Sequence, residues 1–240
     1  MKIAIIGYGK MGHIIEKTAR ERGHHIVAII DQDNTADFAS HEFKSADVAI
    51  EFSRPDAAVE NILASFAAGV PVVSGTTGWK EYLPEMKSIC DKGEGTLLWS
   101  SNFSIGVNIF MAVNRYLSSI ISRYPQYRPA LEETHHIHKL DHPSGTAITL
   151  AEELIANDDN IKSWEEIELT DAPSDVLPVH AIRRDEVPGI HTVCWDSPVD
   201  TITISHSAKS REGFALGAVM AAEWLVGKQG YYTMSDFLQL

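Results

Sequence analysis

Between Glu132 and Ala147 the chain reads EETHHIHKLDHPSGTA, with four histidines, one lysine and a Ser-Gly-Thr turn in sixteen residues. Those residue types admit three chemistries. His135, His136, His138 and His142 could offer imidazoles to zinc. On a strand, however, His136 and His138 share one face while His135 points to the other, and a carboxylate or thiolate ligand at helical spacing is missing. The same histidines could be ordinary hydrogen-bonding groups on a polar strand face. The third reading uses the whole segment. Pro143-Ser144-Gly145-Thr146 leads straight into the helical pattern AITLAEEL, so backbone N–H groups and a hydroxyl gather at a helix N-terminus, where a carboxylate or phosphate binds. Lys139 sets a cation beside it, and His135 or His136 offers a proton donor whose unperturbed pKa is about 6.5. That combination suits a small dianionic substrate that is reduced by hydride and needs a proton, with no metal.

A second constellation opens the chain. Gly7-Tyr8-Gly9-Lys10-Met11-Gly12 fits G-x-G-x-x-G, follows the apolar stretch KIAII, and precedes a helical pattern. The first glycine makes a tight turn, the second lets the backbone approach a pyrophosphate, and the third lets helix and strand pack closely. Asp31 stands 19 residues after Gly12. An acid there accepts hydrogen bonds from the adenine-ribose hydroxyls of NAD and repels the 2′-phosphate of NADP. NADH is therefore the first choice of cofactor, with NADPH second and Lys10, Arg20 and Arg22 as cations that could help to hold it. The loops Gly75-Thr76-Thr77 and Ser100-Ser101-Asn102-Phe103 follow the fourth and fifth strand patterns. Ligands bind beyond the carboxyl ends of parallel strands, so both loops are expected along the cofactor, the second nearer the nicotinamide.

The elements that must position these residues follow from periodicity. Apolar runs KIAII, HIVAIID, SADVAIEFS, VPVVSGTTG and GTLLWSSNFS alternate with helical stretches, the second opening on Pro55. Strands alternating with helices imply a doubly wound parallel sheet of Rossmann type. After Asn102 the pattern changes. One long amphipathic helix is expected, with Ile109, Val113, Tyr116, Leu117 and Ile120 as its apolar stripe. RPALEETHHIH then reads as a strand, GTAITLAEELIAND as a helix, and residues 179–209 as antiparallel hairpins broken at Pro188–Gly189 and Ser197–Pro198. The last helix, SREGFALGAVMAAEWLVGK, could pack back onto the first sheet. Two domains with a cleft between them are expected: residues 1–102 with 209–240 for the dinucleotide, and 103–208 as an α+β substrate and oligomerisation domain with a mixed or antiparallel sheet.

Composition narrows the partners. A net charge of −13 over 240 residues argues against nucleic acid or a membrane surface, both polyanions that select basic patches. Cys90 and Cys194 are far apart, which excludes a disulfide scaffold and a thiolate zinc site and suits a reducing cytoplasm. The apolar run before Gly7 is too short for a signal peptide or membrane span.

The segments GYGKMG, EFSRPDAAVENILASFAAGVPVVSGTTGW, SSNFSIGVN, EETHHIHKLDHPSGTA and SREGFALGAVMAAEWL, in this order, resemble the 4-hydroxy-tetrahydrodipicolinate reductase (dihydrodipicolinate reductase) family of the diaminopimelate route to lysine. The pattern E-x-H-H-x-x-K-x-D-x-P-S-G-T-A is highly specific to it. The resemblance implies NAD(P)H-dependent reduction with loss of water. It gives His135 as proton donor, His136 as substrate contact and Lys139 as proton donor or carboxylate ligand. It also gives the Gly145 and Thr146 amides as a carboxylate site and residues 75–77 and 100–103 along the nicotinamide. A homotetramer built through the second sheet is typical. Three departures stand out: a short stretch between Asp31 and Ala46, Glu51 where aspartate is commoner, and Gln32 where NADP-tolerant members often carry arginine. Other two-domain reductases, such as aspartate or homoserine dehydrogenases and imine reductases, lack the histidine–lysine segment. A non-catalytic NAD-sensing regulator would have little reason to keep it.

Overall fold

Alternation along the first strand decides the layering. In β1 (Lys2–Ile6), Ile3 and Ile5 point to one face and Ala4 and Ile6 to the other, and all four are buried. A strand buried on both faces needs helices on both, and the connections supply them. α1 (Lys10–Glu21), β2 (His25–Ile30), a 3₁₀ turn (Thr35–Ala39), α2 (His41–Lys44), β3 (Val48–Glu51) and α3 (Pro55–Ala67) follow. Pro55 is pre-set for the first turn of α3. β4 (Val72–Ser74), α4 (Leu83–Asp91) and β5 (Thr96–Trp99) complete this run. The computed structural model describes residues 1–167 and 172–240. They form two compact units, Met1–Asn108 with Glu212–Leu240, and Ile109–Arg211.

The second unit holds most of α5 (Ile105–Ile121), then β6 (Arg128–His135), α6 (Gly145–Ala156), β7 (Ser163–Glu166), β8 (Val176–Arg183), β9 (Ile190–Asp196) and β10 (Thr201–Ser207). Its five strands run in the order β10-β9-β6-β8-β7. β6, β8 and β7 are parallel, while β9 and β10 are antiparallel to their neighbours. The sheet is therefore mixed. Its core joins Leu131, Val179, Val193 and Trp195 of the strands to Leu150, Ala151 and Leu154 of α6.

The chain then returns to the first unit through α7 (Glu212–Leu225), β11 (Gly230–Tyr232) and α8 (Met234–Leu238). The short β11 extends the parallel sheet to six strands, in the order β11-β5-β4-β3-β1-β2. Ala215, Ala218, Val219 and Ala222 of α7 cover the face that carries Ile3, Ile5 and Ile50. Small side chains let this helix lie close. A Cβ on Gly217 would stand 1.7 Å from the Phe103 carbonyl oxygen.

Three expectations are corrected. The stripe Ile109, Val113, Tyr116 and Ile120 faces outward, Tyr116 being 71% exposed, while Phe110, Asn114, Ser118 and Ile121 are buried. α5 thus turns two polar side chains inward and its apolar stripe outward, and only Leu117 of the expected set packs on the core. No hairpin forms at Pro188–Gly189, because β6 lies between β8 and β9 and pairs with both. The hairpin at Ser197–Pro198 does form, between β9 and β10. Finally, β6 stops at His135. His136 to Lys139 make a turn, with the Lys139 N–H donating to the His136 carbonyl at 3.1 Å, so His136 and His138 share no strand face.

Candidate active site

The strand order reverses at β1, with β2 on one side and β3 on the other, and an open parallel sheet binds ligands beyond the carboxyl ends of such strands. Two adjoining cavities lie there. One, about 410 Å³, is lined by Gly7, Tyr8, Gly9, Asp31, Gln32, Ser53 and Arg54, among others. The other, about 450 Å³, is lined by Gly9, Lys10, Met11, Phe52, Ser53, Gly75, Thr76 and Thr77, with Pro55. Phe52, Ser53 and Arg54 were not anticipated. The rule that singled out the ends of the fourth and fifth strands applies equally to β3, and would have found them.

The three glycines differ in what they serve. Gly7 has φ +87°, and a Cβ on it would stand 2.2 Å from the Phe52 carbonyl oxygen. A Cβ on Gly12 would stand 2.3 Å from the Gly7 oxygen. Both are needed for the chain's own packing. A Cβ on Gly9 would meet nothing within 4 Å. Its bareness leaves the N-terminus of α1 open to a ligand, as a dinucleotide pyrophosphate requires, so these residues fit NAD(P)H. Gly9→Val is therefore expected to raise KM for NADH about tenfold while Tm stays within about 2 °C of the parent. Steady-state kinetics and a thermal melt check both, and an unchanged KM would reject the assignment.

Behind the groove, Glu51 organises two loops at once. It is fully buried at the end of β3 and accepts hydrogen bonds from the Ser53 N–H (3.0 Å), the Ser53 hydroxyl, the Ser74 hydroxyl (2.6 Å) and the Thr76 hydroxyl (2.8 Å). Burial pushes its carboxyl above the ordinary value, against the pull of those hydrogen bonds. The Thr76 carbonyl in turn accepts from the indole N–H groups of Trp79 (2.8 Å) and Trp99 (3.0 Å). The loop Ser100–Phe103 lines neither cavity. Its polar groups build the start of α5: Asn102 Oδ1 accepts from the Ser104 N–H at 2.9 Å, and Ser100 Oγ donates to the Asn102 carbonyl at 2.9 Å. Phe103 is buried in the core against Phe52.

In the second unit, Lys139 Nζ stands 2.8 Å from Asp141 Oδ1, a residue whose role had not been anticipated. Burial works against ionisation of Asp141, but Lys139 and the Gly145 amide outweigh it and hold the carboxyl below its ordinary value. Lys139 thus already engages one carboxylate near the start of α6. Ser144 caps α6, its hydroxyl accepting from the Ala147 N–H at 3.2 Å. A Cβ on Gly145 would meet nothing within 4 Å, so this N-terminus is as open as that of α1. Thr146 follows, partly exposed.

The histidines separate. His138 pairs with Glu186 (3.0 Å) and His142 with Glu166, all on the surface, where such pairs contribute at most about 1 kcal/mol. His136 is half-buried, with its ring 6.0 Å from that of His138. His135 is buried beside Glu133 and His191. Among the described residues, Glu133, His135 and His191 are the one group with metal-ligand spacing, their nearest donor atoms lying within 4.8 Å of one another. The Arg183 guanidinium, 3.1 Å from Glu133 Oε1, already supplies a cation to that carboxylate. Burial opposes ionisation of Glu133, yet the adjoining His135 and His191 rings and the hydrogen bond from the Ser144 N–H hold it well below its ordinary 4.5. A depressed carboxyl stabilises the fold fully above its unfolded pKa and loses that contribution as pH falls towards the folded one. Urea stability is therefore expected to drop as pH is lowered below 4.5, more steeply in the parent than in Glu133→Gln. Parallel curves would contradict this.

Comparison with known proteins identifies the family. Residues 1–103 match the family profile described as dihydrodipicolinate reductase, N-terminus, and residues 106–238 match its C-terminus counterpart. A 4-hydroxy-tetrahydrodipicolinate reductase of Christiangramia forsetii is 45% identical over 240 residues, spanning 99% of this chain and 98% of that one. One from Staphylococcus epidermidis is 33% identical over 245 residues, spanning 98% and 100%. In fold, the chain is similar to the dipicolinate-bound dihydrodipicolinate reductase from Paenisporosarcina sp. TG-14, with a TM-score of 0.79, 22% identity and 99% of each chain covered. The chain belongs to the dihydrodipicolinate reductase family.

Proposed function

We propose that this protein reduces 4-hydroxy-tetrahydrodipicolinate to tetrahydrodipicolinate, with loss of water, in the diaminopimelate route to lysine. The observation that carries the reading is the carboxylate already held by Lys139 near the open start of α6. A substrate carboxylate has the same chemistry as the Asp141 side chain, displaces it from Lys139 and accepts from the Gly145 and Thr146 amides. Bound NAD(P)H supplies the hydride. Lys139 holds the carboxylate and stabilises the negative charge that develops on the ring nitrogen, His136 contacts the substrate, and His135 delivers the proton. No metal takes part.

NADH is the preferred cofactor in this reading, because exposed Asp31 faces the groove next to uncharged Gln32. Arg54 lines the same groove and is the cation that gives NADPH a foothold. A cytoplasmic location is supported by the free thiols Cys90 and Cys194. Among the described residues, no helix is long and apolar enough to cross a membrane. A homotetramer is supported by the outward apolar stripe of α5 and by Ile202, 39% exposed, on the edge strand β10.

Pyridine-2,6-dicarboxylate, a flat dicarboxylate, tests the reading by calorimetry. Binding is expected when NADH is present and not in its absence. Equal affinity with and without NADH, or no binding in either case, would contradict it.

A further inference from the structure

The strand register assembles a second layer beneath the proposed acid. Glu133 and His135 lie two residues apart on β6 and share a face. His191 of β9 stands opposite Glu133, and Arg183 of β8 stands opposite His135. Four side chains from three strands therefore meet on the face covered by α6. Their interactions divide by oxygen. Glu133 Oε1 accepts from both terminal nitrogens of Arg183 at 3.1 Å and from the Ser144 N–H at 2.9 Å. Glu133 Oε2 is left to the two imidazoles, with His135 Nδ1 at 3.1 Å and His191 Nε2 at 3.5 Å, neither well aligned for a hydrogen bond.

The two histidines do not compete equally for that oxygen. His191 Nε2 has another partner, the Ser144 hydroxyl at 3.2 Å, and burial holds this ring towards its neutral form against the pull of Glu133. His135 Nδ1 is buried and has no hydrogen-bond partner of its own, so Oε2 is the acceptor within its reach. Unbound enzymes commonly show such catalytic contacts loose, and they tighten with ligand. The other ring nitrogen meets a different neighbour. A Cβ on Gly189 would stand 2.9 Å from His135 Nε2, which is hydrogen-bonding distance. Glycine at 189 thus puts no side chain where an acceptor for an Nε2 proton has to come.

Building on the reading of His135 as the acid, we infer that Glu133 is a positioning residue acting through His135. Its carboxylate holds the proton on Nδ1, which fixes the ring and makes Nε2 the nitrogen that delivers, and Gly189 keeps Nε2 uncovered. When the proton leaves Nε2 for the reduced substrate, the N–H bond there breaks and the imidazole is left neutral with its remaining proton on Nδ1. Arg183, the Ser144 amide and His191 keep the carboxylate ionised and in place.

The test combines kinetics with the tautomer of His135. Glu133→Gln is expected to lower kcat on the order of 10²-fold, with KM for NADH and affinity for pyridine-2,6-dicarboxylate within about 3-fold of the parent. Glu133→Asp, which keeps the charge, is expected to recover about tenfold of that loss. Removing a buried charge beside Arg183 could unfold the protein, so the unmodified protein supplies an independent readout. Long-range ¹H–¹⁵N spectra of histidine-labelled parent are expected to show neutral His135 protonated on Nδ1. Protonation on Nε2 alone, or Glu133→Gln turnover within about 3-fold of the parent while His135→Asn is impaired, would overturn this inference and leave the proposed function standing. Parent-like turnover in His135→Asn would instead remove the acid assignment on which it rests. One equivalent of zinc in the purified parent, absent from His191→Ala, would also overturn it, because the three side chains would then be metal ligands.

Discussion

Replacing Lys139 with alanine is expected to lower kcat/KM for the dicarboxylate substrate about 10³-fold, a loss of roughly 4 kcal/mol in transition-state stabilisation. The size follows from two contributions lost together. A charge-assisted bond to a carboxylate contributes about 1.5–3 kcal/mol, and a cation placed where charge develops during reduction adds more. The fold should be indifferent, because the ion pair of Lys139 is with Asp141, whose side chain is 57% exposed. Tm and KM for NADH should stay at parental values. Turnover within about 3-fold of the parent would show that the carboxylate is held elsewhere.

The second large effect is expected at Glu51. Glu51→Leu keeps the bulk but deprives the Ser53 amide and three hydroxyls, of Ser53, Ser74 and Thr76, of their common acceptor. A buried donor left unmade costs about 1–3 kcal/mol, and hydroxyls that rotate to new partners recover part of that, so about 3–5 kcal/mol should be lost overall. In a chain of this size that lowers Tm by about 10 °C. KM for NADH should rise as well, since Ser53 and Thr76 line the groove. Glu51→Gln should be milder. Burial already disfavours the charge there, and the carboxamide keeps one accepting oxygen. A Glu51→Leu melt superimposable on the parent would show that these loops hold themselves.

Both residues also show how far local pattern carries. β1 declared its two buried faces through Ile3–Ile5 and Ala4–Ile6, and Gly9, Lys139 and Gly145 stood in contiguous motifs whose chemistry is local. What pattern did not disclose depends on residues distant along the chain. His191 and Arg183 reach Glu133 because β6 inserts between β8 and β9, a pairing that hydrophobic alternation does not encode. α5 misled for a different reason. Its apolar stripe faces outward and its buried row contains Asn114 and Ser118, so periodicity marked the right spacing and the wrong side. β11, three residues long, is too short to leave a periodic signal. Glu51 was visible as a departure from its family, but its role needed the Ser53, Ser74 and Thr76 hydroxyls around it.

Oxidation of NADH, followed at 340 nm on addition of freshly generated 4-hydroxy-tetrahydrodipicolinate, tests the central claim most directly. Turnover of about 1–10³ s⁻¹ is expected, with a higher kcat/KM for NADH than for NADPH. No oxidation of either cofactor above the substrate-free background, by protein shown to be folded, would contradict the account.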